Sequence, residues 1–266
     1  MENKGPNRYT KILEAIFARH YEKGANEINF ERAELSQVAG ELGITLPKNL
    51  GDVLYSFRYR TLLPKSITSK APKGYEWIIR PAGKGKYKLV IVKESLIVPS
   101  SILAETKIPD ATPGVIAAYA LSDEQALLAK LRYNRLVDIF TGLTCYSLQS
   151  HLRTTLRDGS QVETDEIYIG LDKRGAHYVL PVQAKGGRDK IGIVQIEQDF
   201  ELCSLKFPSL VCRGIATQFM AKNLIALFEF EQADDGIKVT SEKHYRLVQP
   251  DELSPEELQS YSLRQS

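Results

Sequence analysis

Two pairs of polar residues have the types and spacing for metal-assisted chemistry. Glu163 and Asp165 lie in QVETDEIYIG (161–170), and Gln183 and Lys185 lie in VLPVQAKGG (179–187). The members of each pair are separated by one residue, so on a strand they share a face. Between the pairs stands Asp172-Lys173-Arg174-Gly175, a turn whose glycine tolerates positive φ. A hairpin centred on Arg174 sets opposite one another residues whose numbers sum to about 348. Asp165 then faces Gln183, Glu163 faces Lys185, and all four converge on one patch. A slip of one residue would undo this. Two carboxylates, an amide oxygen and an ammonium in one place suit a hard divalent cation, Mg²⁺ or Mn²⁺, which prefers oxygen ligands. A lysine beside it would polarise a water or stabilise charge on a phosphate.

The rest of 176–185 is apolar on both faces (Tyr178, Val179, Leu180, Val182, Ala184), which predicts a strand inside a sheet covered on both sides. Polar residues ending such a strand must be solvated at the sheet edge or paired. A helix is predicted over 123–140, with Ser122 and Gln125 as a capping box and Ala129, Tyr133, Leu136, Val137 and Phe140 as its core stripe. SLQSHLRTTL (147–156) reads either as a short helix or as the start of a strand. A helix over 192–200 follows the hairpin, then strands near 210–216, 224–230 and 237–248. The polar tail from Asp251 is expected to be partly disordered.

A strand-borne Asp, a hairpin and then Gln183-Ala184-Lys185 ending a buried strand together resemble the PD-(D/E)xK nuclease superfamily. The form is closest to its Mrr-type restriction endonucleases, in which glutamine replaces the usual acid. The resemblance covers roughly residues 115–230 and implies an α/β fold with a restriction-endonuclease-like αβββαβ core, a mixed sheet flanked by helices. It implies that Asp165 is the principal metal ligand, Gln183 the second ligand position and Lys185 the catalytic lysine. Glu163 matches no invariant family position and enters as a second carboxylate through its predicted face. Glu124, on the preceding helix, is a weaker candidate for the helix acid of some members. Thr164 stands where the family's name has proline, and Gln183 brings no charge.

The first hundred residues differ in character. Helices are predicted over 7–20, 31–42 and about 47–60, a short strand over 27–30, and a basic hairpin around Gly83-Lys84-Gly85-Lys86. This order resembles a winged helix-turn-helix domain over roughly 7–95. The resemblance implies base and phosphate contacts from Lys48, Asn49, Tyr55, Arg58 and Arg60 on the third helix, and from Arg80, Lys84, Lys86 and Lys88 on the wing. Residues 45–98 hold eleven basic residues against three acidic ones, a net +8 in a chain of net +2. Such clustering is the footprint of a polyanion partner. Arg188 and Lys190, after the second hairpin, are further phosphate contacts. Residues 96–113, broken by three prolines, read as a linker with some packing of its own, so the expected domains are 1–98, a winged helix, and 99–266, a nuclease.

Composition narrows the classes. The chain has 266 residues, 43% hydrophobic and 26% charged, with no apolar run near the ~20 residues of a membrane span. MENKGPNRYT carries no apolar signal region, and three scattered cysteines without a CxxC pair argue against a structural zinc; a cytoplasmic setting is expected. Cys145 reads as an inert buried thiol before it reads as a nucleophile. No Walker or GxGxxG loop is present. The expectation is a Mg²⁺- or Mn²⁺-dependent endodeoxyribonuclease of restriction type, acting on double-stranded DNA as a homodimer. Two other readings fit the same residues: a DNA-binding regulator whose second domain is a degenerate nuclease fold, and a nuclease that reads DNA structure or modified bases.

Overall fold

The computed structural model describes residues 9–59, 61–93, 96–119, 124–186, 189–233 and 236–263. It is a mixed α/β structure. The described residues form two compact units, one from 1–97, 155–162 and 192–194, the other from 98–154, 163–191 and 195–266.

In the first unit, α1 (Thr10–His20), β1 (Glu27–Glu31), α2 (Arg32–Glu41), α3 (Gly51–Tyr59), α4 (Lys65–Thr68), β2 (Glu76–Pro81) and β3 (Lys86–Val92) follow in order. The strands form an antiparallel sheet in the order β1-β3-β2. Its core is built by helical periodicity: Ile12, Leu13, Ile16 and Phe17 of α1 meet Leu35 and Val38 of α2, Val53, Leu54 and Phe57 of α3, and Trp77, Ile79 and Leu89 of the hairpin. The backbone N–H of Glu31 donates to the Glu34 carboxylate (2.8 Å), which caps α2, and Gly43 ends it with φ +66°. The helix expected over about 47–60 begins later. Asn49 Oδ1 accepts the N–H of Gly51 at 3.1 Å, and its amide donates to Asp52 at 2.8 Å. Local bonding by this side chain holds 45–50 out of the helix, so Pro47, Lys48 and Asn49 precede α3.

The second unit contains β5 (Glu105–Pro109), with β4 (Leu96–Ile97) just before it in the chain, then α5 (Gly114–Tyr119), α6 (Glu124–Tyr133), α7 (Leu136–Thr141), β6 (Thr144–Thr155), β7 (Gln161–Leu171) and β8 (His177–Lys185). β9 (Ile191–Gly192), α8 (Ile193–Lys206), β10 (Val211–Cys212), β11 (Gly214–Ala221), β12 (Leu224–Ala233), β13 (Gly236–Val248) and α9 (Pro255–Ser262) complete the chain. The large sheet has the order β5-β13-β12-β11-β8-β7-β6, with β10 also on β8. β8 is parallel to β11 and antiparallel to β7. Pro181 sits inside this central strand because its missing N–H falls between the β10 pairing at Tyr178 and Val179 and the β11 pairing from Val182. Leu127, Leu128 and Leu131 of α6 and Leu136 and Val137 of α7 cover one sheet face, meeting Leu180, Val182 and Ala184. On the other face α8 lies so close that a Cβ on Gly214 would come within 2.8 Å of the Phe200 ring.

Two expectations change. The helix over 123–140 is two helices. The buried Asn134 amide donates to Lys130 O and Thr112 Oγ1, both at 3.0 Å, and its oxygen accepts Ala111 N–H at 2.7 Å; Arg135 then takes φ +52°. The core stripe rotates accordingly and leaves Tyr133 exposed. Ser122 lies outside the described residues. The packing expected of residues 96–113 takes the form of β5, an edge strand that pairs parallel with β13. The tail is ordered through 263: Glu257 N–H donates to Ser254 Oγ, and Lys107 meets Glu257 at 2.8 Å and Tyr261 through its N–H. The segment 147–156 is strand, within β6.

Candidate active site

The hairpin of β7 and β8 positions the site. Asp172 Oδ1 accepts the N–H groups of Arg174 (2.8 Å) and Ala176 (2.9 Å), and Gly175 takes φ +81°. The strands pair from Leu171↔His177 to Glu166↔Val182, the register that the alternation predicts. Past Val182, side chains take over the backbone's hydrogen bonds. Asp165 Oδ2 accepts the Ala184 N–H at 2.8 Å, and Gln183 Nε2 donates to the Glu163 carbonyl at 3.3 Å. The strand alternation breaks here too. Glu166 bonds Arg132 of α6 and Ser147 of β6, whereas Thr164, two residues earlier, bonds Asp199 of α8 on the other face.

Asp165, Lys185 and Glu124 form one electrostatic group drawn from β7, β8 and α6. Burial pushes the Asp165 carboxyl above its ordinary value, against the pull of the Lys185 ammonium and the Ala184 N–H. Lys185 is 9% exposed, and its Nζ lies 3.5 Å from Glu124 Oε1. Burial likewise raises Glu124; Lys185 opposes the shift, while Asp165 and Asp189 add to it. Lys185 is buried and Glu124 remains partly exposed, so two carboxyls share one ammonium at the margin of the core.

The Gln183 amide nitrogen turns toward α8. This Nε2 lies 3.1 and 3.0 Å from the two carboxylate oxygens of Asp199, whose Oδ1 also accepts Thr164 Oγ1. Every neighbour of Nε2 is an acceptor, so the amide has only one sensible orientation. Its Oε1 is buried and meets no donor among the described residues. Burial drives Asp199 up to about 7, against the hydrogen bonds from Thr164 and Gln183.

Glu163 departs from its expected role as a partner of Lys185. Its carboxylate is held by Arg153 at 2.9 Å and by His151 Nδ1 at 3.3 Å. Burial disfavours its ionised form, but Arg153 and then His151 outweigh this and hold the carboxyl below its usual value. His151 reaches this position from β6 with φ +50°, a strained backbone for a non-glycine residue, and its Nε2 lies 2.8 Å from Gln125. Among the described residues, no three His, Cys, Asp or Glu side chains converge as a ready metal cage. Cys145 is buried, with its thiol pushed up to about 11 by burial, which leaves it unreactive.

The candidate nucleic-acid residues are dispersed. Tyr55 and Arg58 lie on α3; Lys48 and Asn49 lie ahead of it, a correction to their expected place on the helix. Lys84 and Lys86 are exposed at the tip between β2 and β3, Arg80 pairs in register with Lys88, and Lys88 reaches Glu27 at 3.1 Å. Lys190 is exposed, while Arg60 and Arg188 lie outside the described residues.

Sequence reasoning passed over Asp199, Thr164 and His151. For Asp199 a signal was present, since it occupies an i+3 position on the apolar face of α8, between Ile196 and Cys203. Compared with known proteins, the chain matches no family model, no curated protein and no solved structure.

Proposed function

We propose that the chain is a Mg²⁺- or Mn²⁺-dependent DNA endonuclease whose site is centred on Asp165 and Lys185. The observation that carries this reading is their placement. A raised carboxyl and an ammonium sit together where β7 and β8 part, and a third element, α6, adds Glu124. The order of elements supports the PD-(D/E)xK likeness: helices α6 and α7, strands β6, β7 and β8, helix α8, then β11 parallel to β8. The order α1-β1-α2-α3 followed by the β2–β3 hairpin supports a winged helix in the first unit.

The residues suit a hard cation by their chemistry. Asp165 offers a carboxylate that a cation would keep ionised, Glu124 offers a second, and the Gln183 oxygen is buried without a partner among the described residues. When bound, the cation would supply an acidified water and counter-charge for the phosphate. The chain's own groups do the positioning. Ala184 N–H fixes the Asp165 rotamer, and the Lys185 ammonium, held by low exposure, is placed to hold a phosphate oxygen as charge develops on it. A homodimer would bring two such sites to the two DNA strands.

Incubation of the chain with unmethylated plasmid and phage DNA in Mg²⁺, with and without EDTA, tests this. Discrete fragments that vanish with EDTA are expected. Intact DNA beside a retained gel shift would overturn the nuclease in favour of the DNA-binding regulator. The neutral Gln183 and the lack, among the described residues, of three converging acidic or histidine ligands favour that second reading.

A further inference from the structure

We propose that Asp199 is a positioning residue for the metal site, which holds the Gln183 amide so that its oxygen, backed by a buried carboxylate, serves where an acid would stand. The proposal rests on the metal-dependent reading above and assigns a task to a carboxylate that the reading does not use.

The geometry argues for it in three steps. Asp199 is 1% exposed, in the middle of the apolar face of α8, where an acid costs stability unless its oxygens are paired. Both oxygens are spent on two side chains, Thr164 Oγ1 at 2.5 Å and Gln183 Nε2 at 3.0–3.1 Å. Thr164 and Gln183 flank the candidate ligands on the two strands, next to Asp165 and two residues before Lys185. Anchoring Nε2 to acceptors alone prevents the amide from flipping. It leaves Oε1 as the part of Gln183 free to bind something, and Oε1 meets no donor among the described residues. A buried oxygen left without a donor is costly, and a cation ligand is a role that would use it. The carboxylate behind the amide also polarises it, drawing electron density to Oε1 as chained hydrogen bonds do. Gln183 thereby gains ligand strength that a neutral amide lacks, with the negative charge one residue removed and out of solvent. Groups that orient ligands from behind in this way typically change metal affinity by about 10- to 100-fold when removed.

The test is Mn²⁺ binding to the full chain without DNA, followed by titration calorimetry, with metal-free melting as the check on folding. Asp199→Asn turns an NH₂ group toward the Gln183 NH₂ and is expected to weaken binding by about 10- to 100-fold. Asp199→Asn combined with Gln183→Glu reverses the hydrogen bond. The amide at 199 then donates to the carboxylate at 183, whose second oxygen faces the site. Binding is expected to return to the wild-type value or to exceed it. Should Asp199→Asn alone fail to fold, the double variant still carries the test, since it restores a complementary pair. Gln183→Glu alone, which sets two carboxyls against each other, is the control: under the positioning role it binds Mn²⁺ less tightly than the double variant, and equal binding by the two would overturn that role. Wild-type affinity in Asp199→Asn, or no recovery in a folded double variant, would overturn the positioning role while leaving the metal site standing, provided Asp165→Ala abolishes binding. No Mn²⁺ binding by the wild-type chain would overturn the metal reading and this inference with it.

Discussion

The end of β7 and β8 and the tip of the β2–β3 hairpin both gather charge, but in opposite ways. At the first, Asp165, Lys185 and Glu124 come from three elements, and burial raises the Asp165 and Glu124 carboxyls against the pull of the Lys185 ammonium. At the second, Lys84 and Lys86 project into solvent from one short turn, and neither depends on a neighbour. Chemistry needs the first arrangement, because a few fixed, desolvated groups act strongly on one bond. Holding a polyanion needs only the second, because phosphate contacts add up and are exchangeable. Substitutions should therefore have all-or-none effects at the strand end and graded effects at the hairpin tip.

The largest effect is expected from Asp165→Asn, which keeps the shape and removes the charge. Mg²⁺-dependent cleavage should fall by about 10²-fold or more, measured as initial plasmid nicking. Next comes Lys84→Ala with Lys86→Ala. DNA affinity should fall across all sequences, and the slope of log K against log salt should flatten by about one unit per lysine in a filter-binding series. Cleavage at saturating DNA should be nearly unchanged. Glu163→Gln should do less than the hairpin register suggests. Its carboxylate is already engaged by Arg153 and His151, so loss of cleavage beyond a few-fold would mean that it leaves them to join the site. The smallest effect is expected from Lys88→Ala, since an exposed pair such as Lys88–Glu27 is worth about 0–1 kcal/mol; melting should shift little.

The same contrast explains what the sequence revealed. The hairpin register was legible because Gly175 and the alternation of one strand are local, and the turn allows one pairing. The first unit's element order was legible for the same reason. The break between α6 and α7 was not, because Asn134 finds its partners at Asp110, Ala111 and Thr112, far away in the chain. Nor was the direction of Glu163, which depends on Arg153 and on His151 in a left-handed backbone of β6. Alternation along β8 turns Gln183 to the α8 face, opposite Val182 and Ala184, and it is Lys185 that departs from its expected company by reaching Glu124 of α6. Asp199 was readable only as an acid in an apolar stripe, with nothing in the sequence naming its partners.

The most direct measurement compares Lys185→Ala with the wild-type chain on one DNA in Mg²⁺, by gel shift and by cleavage in parallel. The account predicts an unchanged shift and cleavage lowered by about 10²-fold or more, because the ammonium serves the reacting phosphate rather than overall affinity. Cleavage that survives the substitution would contradict it and put the chemistry elsewhere in the chain.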